Sequence, residues 1–332
     1  MKNLGVDIQE RNSTLLIKGR GLQGLKEPDR ILDCGNSGTT IRLLTGVLSA
    51  QPFFSVLAGD HSLNLRPMRR VMEPMQLMGA ELQARQAGNY PPLAIKGGKL
   101  KGINYSSPVA SAQIKTAILL AALDANGVTE IWEPEKSRDH SENMLAAMGA
   151  SIQVDGLGIQ LQPGQELSAL EFLVPGDISA AAFFLVAATI VPGSELKICD
   201  IGVNPTRTGI IEVLQQMGAN IKLENQRTIG GEMMADIIVT ASELKGVKIE
   251  GEIIPRLIDE LPILAVAMAV AEEESEVREA GELRIKETDR IAAICNELGK
   301  MGVAITELGD GFRIKGKQQS PQGVKVDSHG DH

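Results

Sequence analysis

Apolar and polar positions along this chain fall into a pattern that recurs about every 70 residues. Its mark is a large apolar residue, a glycine and a small apolar residue: Leu4-Gly5-Val6, Met78-Gly79-Ala80, Met148-Gly149-Ala150, Met217-Gly218-Ala219 and Met301-Gly302-Val303. Each mark closes a stretch whose apolar residues follow helical spacing, as Ile291, Ile294 and Leu298 do, and opens an alternating stretch such as Ser151-Ile-Gln-Val154. The glycine is therefore expected in the left-handed conformation of a helix C-cap, with a strand after it. Ahead of the later marks lie segments 40–48, 111–123, 179–190 and 261–271, of which 180–188 and 261–271 are apolar nearly all round and predict helices buried inside a domain. One repeat reads as buried helix, strand, charged junction, amphipathic helix, glycine mark and two strands, an α/β unit with a mixed sheet.

The charged junctions, 60–70, 133–141, 200–208 and 284–290, occupy equivalent places, and Arg66, Arg138, Arg207 and Arg290 each fall just before or at the start of an amphipathic helix. Units packed with related symmetry would bring several of these arginines together. The repeat count is about four and a half, whereas an even partition into two domains calls for six. The chain is thus expected to begin and end in mid-repeat, with Met1 an internal methionine.

Composition narrows the functional classes. The chain has 332 residues, 43% hydrophobic and 23% charged, with few aromatics and a net charge of −9, which argues against disorder and against broad binding to nucleic acid. Anionic substrates would need a local positive site. Cys34, Cys199 and Cys295 are far apart and in no metal or disulfide spacing, so a reducing cytoplasm fits. Neither a signal peptide nor a membrane span is suggested, since the longest apolar stretch, 180–191, is too short.

Five stretches carry candidate chemistry. Arg284-Ile-Lys-Glu-Thr-Asp-Arg290 packs cations and carboxylates at a helix start that Thr288 is placed to cap, where unpaired N–H groups favour an anion. A solvated helix start explains the same stretch without function. Cys34-Gly-Asn-Ser-Gly-Thr-Thr40 leads into a buried helix as an anion-cradling loop or as a plain turn capped by Ser37 or Thr39. Ser111-Ala-Gln-Ile-Lys115 and Pro175-Gly-Asp-Ile-Ser179 open two more buried helices with capping residues. Asp259-Glu-Leu-Pro sets two carboxylates ahead of the most apolar helix, for function or for the helix dipole.

Taken in order, Gly35-Asn-Ser-Gly-Thr-Thr40, Leu65-Arg-Pro67, Ser111-Ala-Gln113, Ser137-Arg-Asp-His140, Pro175-Gly-Asp-Ile-Ser179, Ile258-Asp-Glu260, Lys286-Glu-Thr-Asp-Arg290 and Gly330-Asp-His332 resemble the 5-enolpyruvylshikimate 3-phosphate (EPSP) synthase family over essentially the whole chain. The resemblance implies a two-domain inside-out α/β barrel of βαβαββ units, incomplete here at both termini, with domains at 1–174 and 175–332 closing around a cleft. It implies transfer of the enolpyruvyl group of phosphoenolpyruvate to the 5-hydroxyl of shikimate 3-phosphate, by a cytoplasmic monomer without cofactor, metal, nucleic acid or membrane.

By the same resemblance, Glu287 protonates the methylene carbon and Asp259 takes the hydroxyl proton. Arg66 and Gln113 hold the phosphoenolpyruvate phosphate, Arg290 its carboxylate, and Asn36, Gly38 and Thr39 line that site. Ser111, Ser137 and Lys286 hold shikimate 3-phosphate, and His332 also belongs to the substrate-binding set. The family's Lys-Ser…Arg loop would precede Met1, and an arginine and a lysine would follow His332, so the activity of the chain is expected to be impaired. The alternatives are a UDP-N-acetylglucosamine enolpyruvyl transferase, which carries a cysteine in a mobile loop, and a non-catalytic homologue.

Overall fold

Five times along the chain a helical turn ends on a glycine with positive φ: Gly5 at 81°, Gly79 at 112°, Gly149 at 94°, Gly218 at 103° and Gly302 at 84°. These are the glycines of the five sequence marks. A computed structural model describes residues 1–12, 14–317 and 321–331. At the last four marks the glycine N–H bonds the carbonyl three residues back and the next N–H the carbonyl five back, as in Gly218 to Gln215 at 3.0 Å and Ala219 to Leu214 at 2.9 Å. That pair satisfies the orphan carbonyls of a helix end, and the left-handed residue turns the chain into the following strand.

The contacts divide the chain into two units, Met1–Glu135 with Leu145–Ala169, and Lys136–Met144 with Leu170–His332. The first begins with a hairpin of β1 (Asp7–Arg11) and β2 (Thr14–Lys18). Its first repeat is β3 (Leu32–Asp33), α1 (Gly38–Ser49), β4 (Phe54–Ala58), α2 (Arg69–Met78), β5 (Glu81–Ala84) and β6 (Tyr90–Lys96). The sheet order is β3-β4-β6-β5, parallel between β3 and β4 and antiparallel elsewhere. The next repeat has the same order in β7 (Asn104–Ser106), α3 (Ala112–Ala122), β8 (Thr129–Trp132), α4 (His140–Ala147), β9 (Ser151–Asp155) and β10 (Gly158–Gln162), although the first turn of α4 groups with the second unit.

In the second unit, one repeat runs α5 (Ile178–Ile190), β11 (Glu195–Gly202), α6 (Gly209–Gln216), β12 (Asn220–Ile229) and β13 (Glu232–Thr240). Its leading strand is reduced to a parallel bridge between Gly176 and Ile201. The last repeat is β14 (Lys248–Ile249), α7 (Leu261–Val270), β15 (Glu274–Val277), α8 (Arg290–Lys300), β16 (Ile305–Leu308) and β17 (Gly311–Lys315), in the order β14-β15-β17-β16. Every sheet among the described residues is open; none closes on itself as a barrel.

Each unit has its own apolar core, and in each the first helix of a repeat runs through it. Leu261, Leu264, Ala265, Ala267 and Met268 of α7 are buried, as the all-apolar sequence predicts. The same expectation fails for part of α5, where Phe183 and Phe184 are 59% and 62% exposed. The core side of α5 is filled by Ala181, Ala182, Leu185 and Val186, which leaves the phenylalanines on the other face. A helix can be apolar all round and still bury only one side.

Candidate active-site residues

In the first unit the residues gather at the N-terminus of α1. Asp33 accepts from the N–H of Gly35 at 2.8 Å, which folds the loop, and the Ser37 hydroxyl caps α1 by accepting from the Thr40 N–H at 3.0 Å. Gly38 has a spatial reason: a Cβ there would lie 2.8 Å from Arg66 Nη1 and 2.9 Å from Arg42 Nη1. Two guanidinium groups thus crowd a helix end that already favours negative charge. Asn36 donates to Asp60 at 2.6 Å and accepts from Arg66 at 3.2 Å. Thr39 and Gln113 are 74 residues apart, yet Gln113 Nε2 donates to the Thr39 hydroxyl at 2.8 Å. They meet because α1 packs against α3 so closely that a Cβ on Gly46 would stand 2.2 Å from the Ala117 carbonyl oxygen. Ser111 caps α3 by accepting from the Ile114 N–H.

The second unit assembles a charge cluster around Asp259, on the 3₁₀ turn that leads into α7. Arg138 reaches it at 2.6 Å, Lys286 at 3.1 Å and Arg290 at 3.4 Å. Burial pushes the Asp259 carboxyl up, but the charges of Lys286 and Arg138 and their hydrogen bonds outweigh it and hold the group well below the usual carboxylate range. Arg290 also donates to Glu287 at 2.9 Å and grips Asp331 with two bonds of 2.8 and 3.0 Å. Three cations and three carboxylates are thereby interlocked, with Arg290, Glu287 and Asp331 only 13–14% exposed. Ser137 is buried one residue before Arg138, and Glu260 is buried beside Asp259, its carboxyl accepting from the Ser179 hydroxyl. Burial raises the Glu260 pKa, and the hydrogen bond from Ser179 and the charge of Arg207 only partly oppose it.

The helix cap differs from expectation. Asp289, and not Thr288, caps α8, its carboxylate accepting from the Ala292 N–H at 3.1 Å. Asp289 simultaneously pairs with Arg284 at 2.8 Å, a gain that a threonine hydroxyl does not offer.

Comparison with known proteins supplies a family. The profile of EPSP synthase (3-phosphoshikimate 1-carboxyvinyltransferase) matches residues 1–332. The chain belongs to the EPSP synthase family. A Syntrophomonas wolfei protein named 3-phosphoshikimate 1-carboxyvinyltransferase is 63% identical over 332 residues, all of this chain and 78% of that one. A Bacillus subtilis protein of the same name is 49% identical, over 100% of this chain and 77% of that one. Among solved structures, EPSP synthase from Acinetobacter baumannii aligns with a TM-score of 0.86 at 45% identity, over 99% of this chain and 76% of that one.

Of the residues singled out from sequence, Asn36, Gly38, Thr39, Arg66, Ser111 and Gln113 lie in the first unit around the starts of α1 and α3. Asp259, Lys286, Glu287 and Arg290 form one bonded cluster in the second, and Ser137 stands next to its Arg138. His332 lies outside the described residues. The sequence reading left Arg42 out of the set. It donates to Gln113 Oε1 at 2.7 Å and to the Pro67 carbonyl at 3.3 Å, and a lone arginine one turn into an apolar helix is the signal for it. Arg138, one of the four junction arginines, and Asp331, singled out only as part of a motif, hold the carboxylate and the arginine at the centre of the second cluster.

Proposed function

We infer that this chain transfers the enolpyruvyl group of phosphoenolpyruvate to the 5-hydroxyl of shikimate 3-phosphate, with release of phosphate. The observation that carries the reading is Arg290, whose one guanidinium holds both Glu287 and Asp259. Adding the 5-hydroxyl across the enol phosphate double bond needs one group to deliver a proton to the methylene carbon and another to take it from the hydroxyl; loss of phosphate then needs a proton taken back from the resulting methyl carbon, which restores the double bond. Glu287 is assigned the first role and Asp259 the second.

A carboxylate neutralised by three cations is a weak base. Anionic substrate groups that draw Lys286 and Arg290 onto their own oxygens return basicity to Asp259, so the base is formed where the substrates bind. Lys286, Ser111 and Ser137 are assigned to shikimate 3-phosphate, and Arg290 to the phosphoenolpyruvate carboxylate. Arg66 and Gln113 take the phosphoenolpyruvate phosphate, with Asn36, Gly38 and Thr39 lining its seat and Arg42 orienting Gln113. The same reading takes small anionic metabolites as partners, a monomer as the working form and the cytoplasm as the compartment. Among the described residues no helix is long and apolar enough to cross a membrane.

Steady-state phosphate release with both substrates tests this. Saturation in each is expected; release only when UDP-N-acetylglucosamine replaces shikimate 3-phosphate favours the related transferase, and none with either acceptor overturns both.

A further inference from the structure

Arg138 reaches Asp259 from a short turn, 137–140, and both residues that follow it are fastened to a second group of buried side chains. Asp139 accepts from Asn204 at 2.7 Å, and His140 Nδ1 lies 2.8 Å from Glu232 Oε1. Asn204 also donates to Glu232 at 3.2 Å, while its own carbonyl oxygen accepts from the N–H and the hydroxyl of Thr206 at 2.8 and 2.7 Å. Asn204 is 3% and Glu232 6% exposed. Burial pushes the Glu232 carboxyl up, but hydrogen bonds from His140 and Asn204 outweigh it, so Glu232 stays an ionised acceptor. Gly231 brings the β12–β13 turn against the first turn of α4, where a Cβ would lie 2.8 Å from the Asn143 carbonyl oxygen. None of these groups bonds Asp259, Lys286 or Arg290. Their common effect falls on the turn that carries Arg138.

We propose that Glu232 and Asn204 are positioning residues for the transfer reaction, fixing the turn 137–140 so that Arg138 is presented to Asp259. This rests on the transferase reading. A long, partly buried arginine loses several rotamers to hold one carboxylate at 2.6 Å, and two anchors on the adjoining residues remove the backbone's share of that disorder before any ligand arrives.

The test is a double-mutant cycle on the full chain, read as KM for shikimate 3-phosphate against kcat. Glu232→Ala is expected to raise that KM about tenfold, with the KM for phosphoenolpyruvate within about twofold of the unmodified chain, and Glu232→Gln, which keeps an acceptor oxygen, to restore much of the loss. In an Arg138→Ala background Glu232→Ala is expected to add nothing. Additive effects, or a fall in kcat and melting temperature without the KM change, overturn the proposal. Where the unmodified chain releases no phosphate, the transferase reading fails, and trypsin decides the positioning separately. Glu232→Ala is then expected to speed cleavage after Lys136 and Arg138, and an unchanged cleavage rate overturns the inference.

Discussion

Arg138 and Asp259 lie 121 residues apart in sequence, and their side chains meet at 2.6 Å. Together with Lys286, Arg138 keeps the candidate base ionised. Because Asp259 is held below the ordinary carboxylate range of about 3.9, it contributes stability that is fully present above that range and is lost as pH falls through the folded value. Asp259→Asn is expected to flatten the acid limb of thermal unfolding between about pH 4 and pH 2. At neutral pH it should cost about 1–3 kcal/mol, because Arg138, Lys286 and Arg290 lose a shared counter-charge that is itself partly exposed. An acid limb identical to that of the unmodified chain would mean that the cation cluster does not hold Asp259.

Arg290 uses three nitrogens on three carboxylates, and the two bonds to Asp331 are the paired fork that only a guanidinium makes. Arg290→Lys keeps the charge and loses the fork. The expected result is a loss of about a hundredfold in kcat/KM, since each charge-assisted bond contributes roughly 1.5–3 kcal/mol. The circular dichroism spectrum should be retained. A variant within about threefold of the original would detach Arg290 from the reaction.

The glycine marks were legible because a left-handed helix end has one cheap residue, and the repeat they punctuate carried most of the fold with it. The first-unit residues were legible for a similar reason, as helix starts have few ways to satisfy their N–H groups. What stayed hidden depends on partners far off in sequence. Asn204 finds Asp139 at a separation of 65 residues, and Glu232 finds His140 at 92, with no local pattern to announce either. Thr288 and Asp289 are both competent caps, and the choice between them is made by Arg284, which a capping rule does not see. The apolar run of α5 likewise does not say which of its faces the core takes.

Those same glycines separate conformation from packing. At Gly149 and Gly302 a Cβ would meet nothing within 4 Å, so substitution tests the φ of 94° or 84° alone. Gly149→Ala and Gly302→Ala are each expected to lower the unfolding free energy by about 1–2 kcal/mol in urea titration. Gly98→Ala serves as the control, having open space and no positive φ, and should stay within about 0.5 kcal/mol. Equal effects at all three positions would contradict the conformational account of the marks.

Lys115 and Glu133 form an ion pair at 2.9 Å with side chains only 2% and 3% exposed, inside the unit that carries α1 and α3. Taking one partner away leaves a charge in the core, so Glu133→Ala is expected to cost about 3–5 kcal/mol. Replacing both, as Lys115→Met with Glu133→Leu, removes the desolvation cost together with the attraction and should recover most of that loss. Urea unfolding of the single and double variants decides it, and a double variant no better than the single one would show that the pair itself is the stabilising element.

The cysteines distinguish the two transferase readings without an acceptor assay. A mechanism with a cysteine over the site needs a thiol that ionises near neutral pH. Burial, with the charge of Asp33 added, pushes Cys34 up to about 11, and burial with the charge of Glu307 does the same for Cys295. At pH 8 a thiol of that kind is thiolate in about one molecule in a thousand, and the thiolate is the nucleophile. Cys199 is the exposed one, on β11. Iodoacetamide at pH 8 is therefore expected to alkylate Cys199 first, with Cys34 and Cys295 slower by about a hundredfold, as read by mass spectrometry of the peptides. Phosphate release should survive the modification of Cys199, because that residue takes no part in the ion pairs that build the Asp259 cluster. Loss of activity in step with labelling of any one cysteine would bring back the cysteine-dependent transferase.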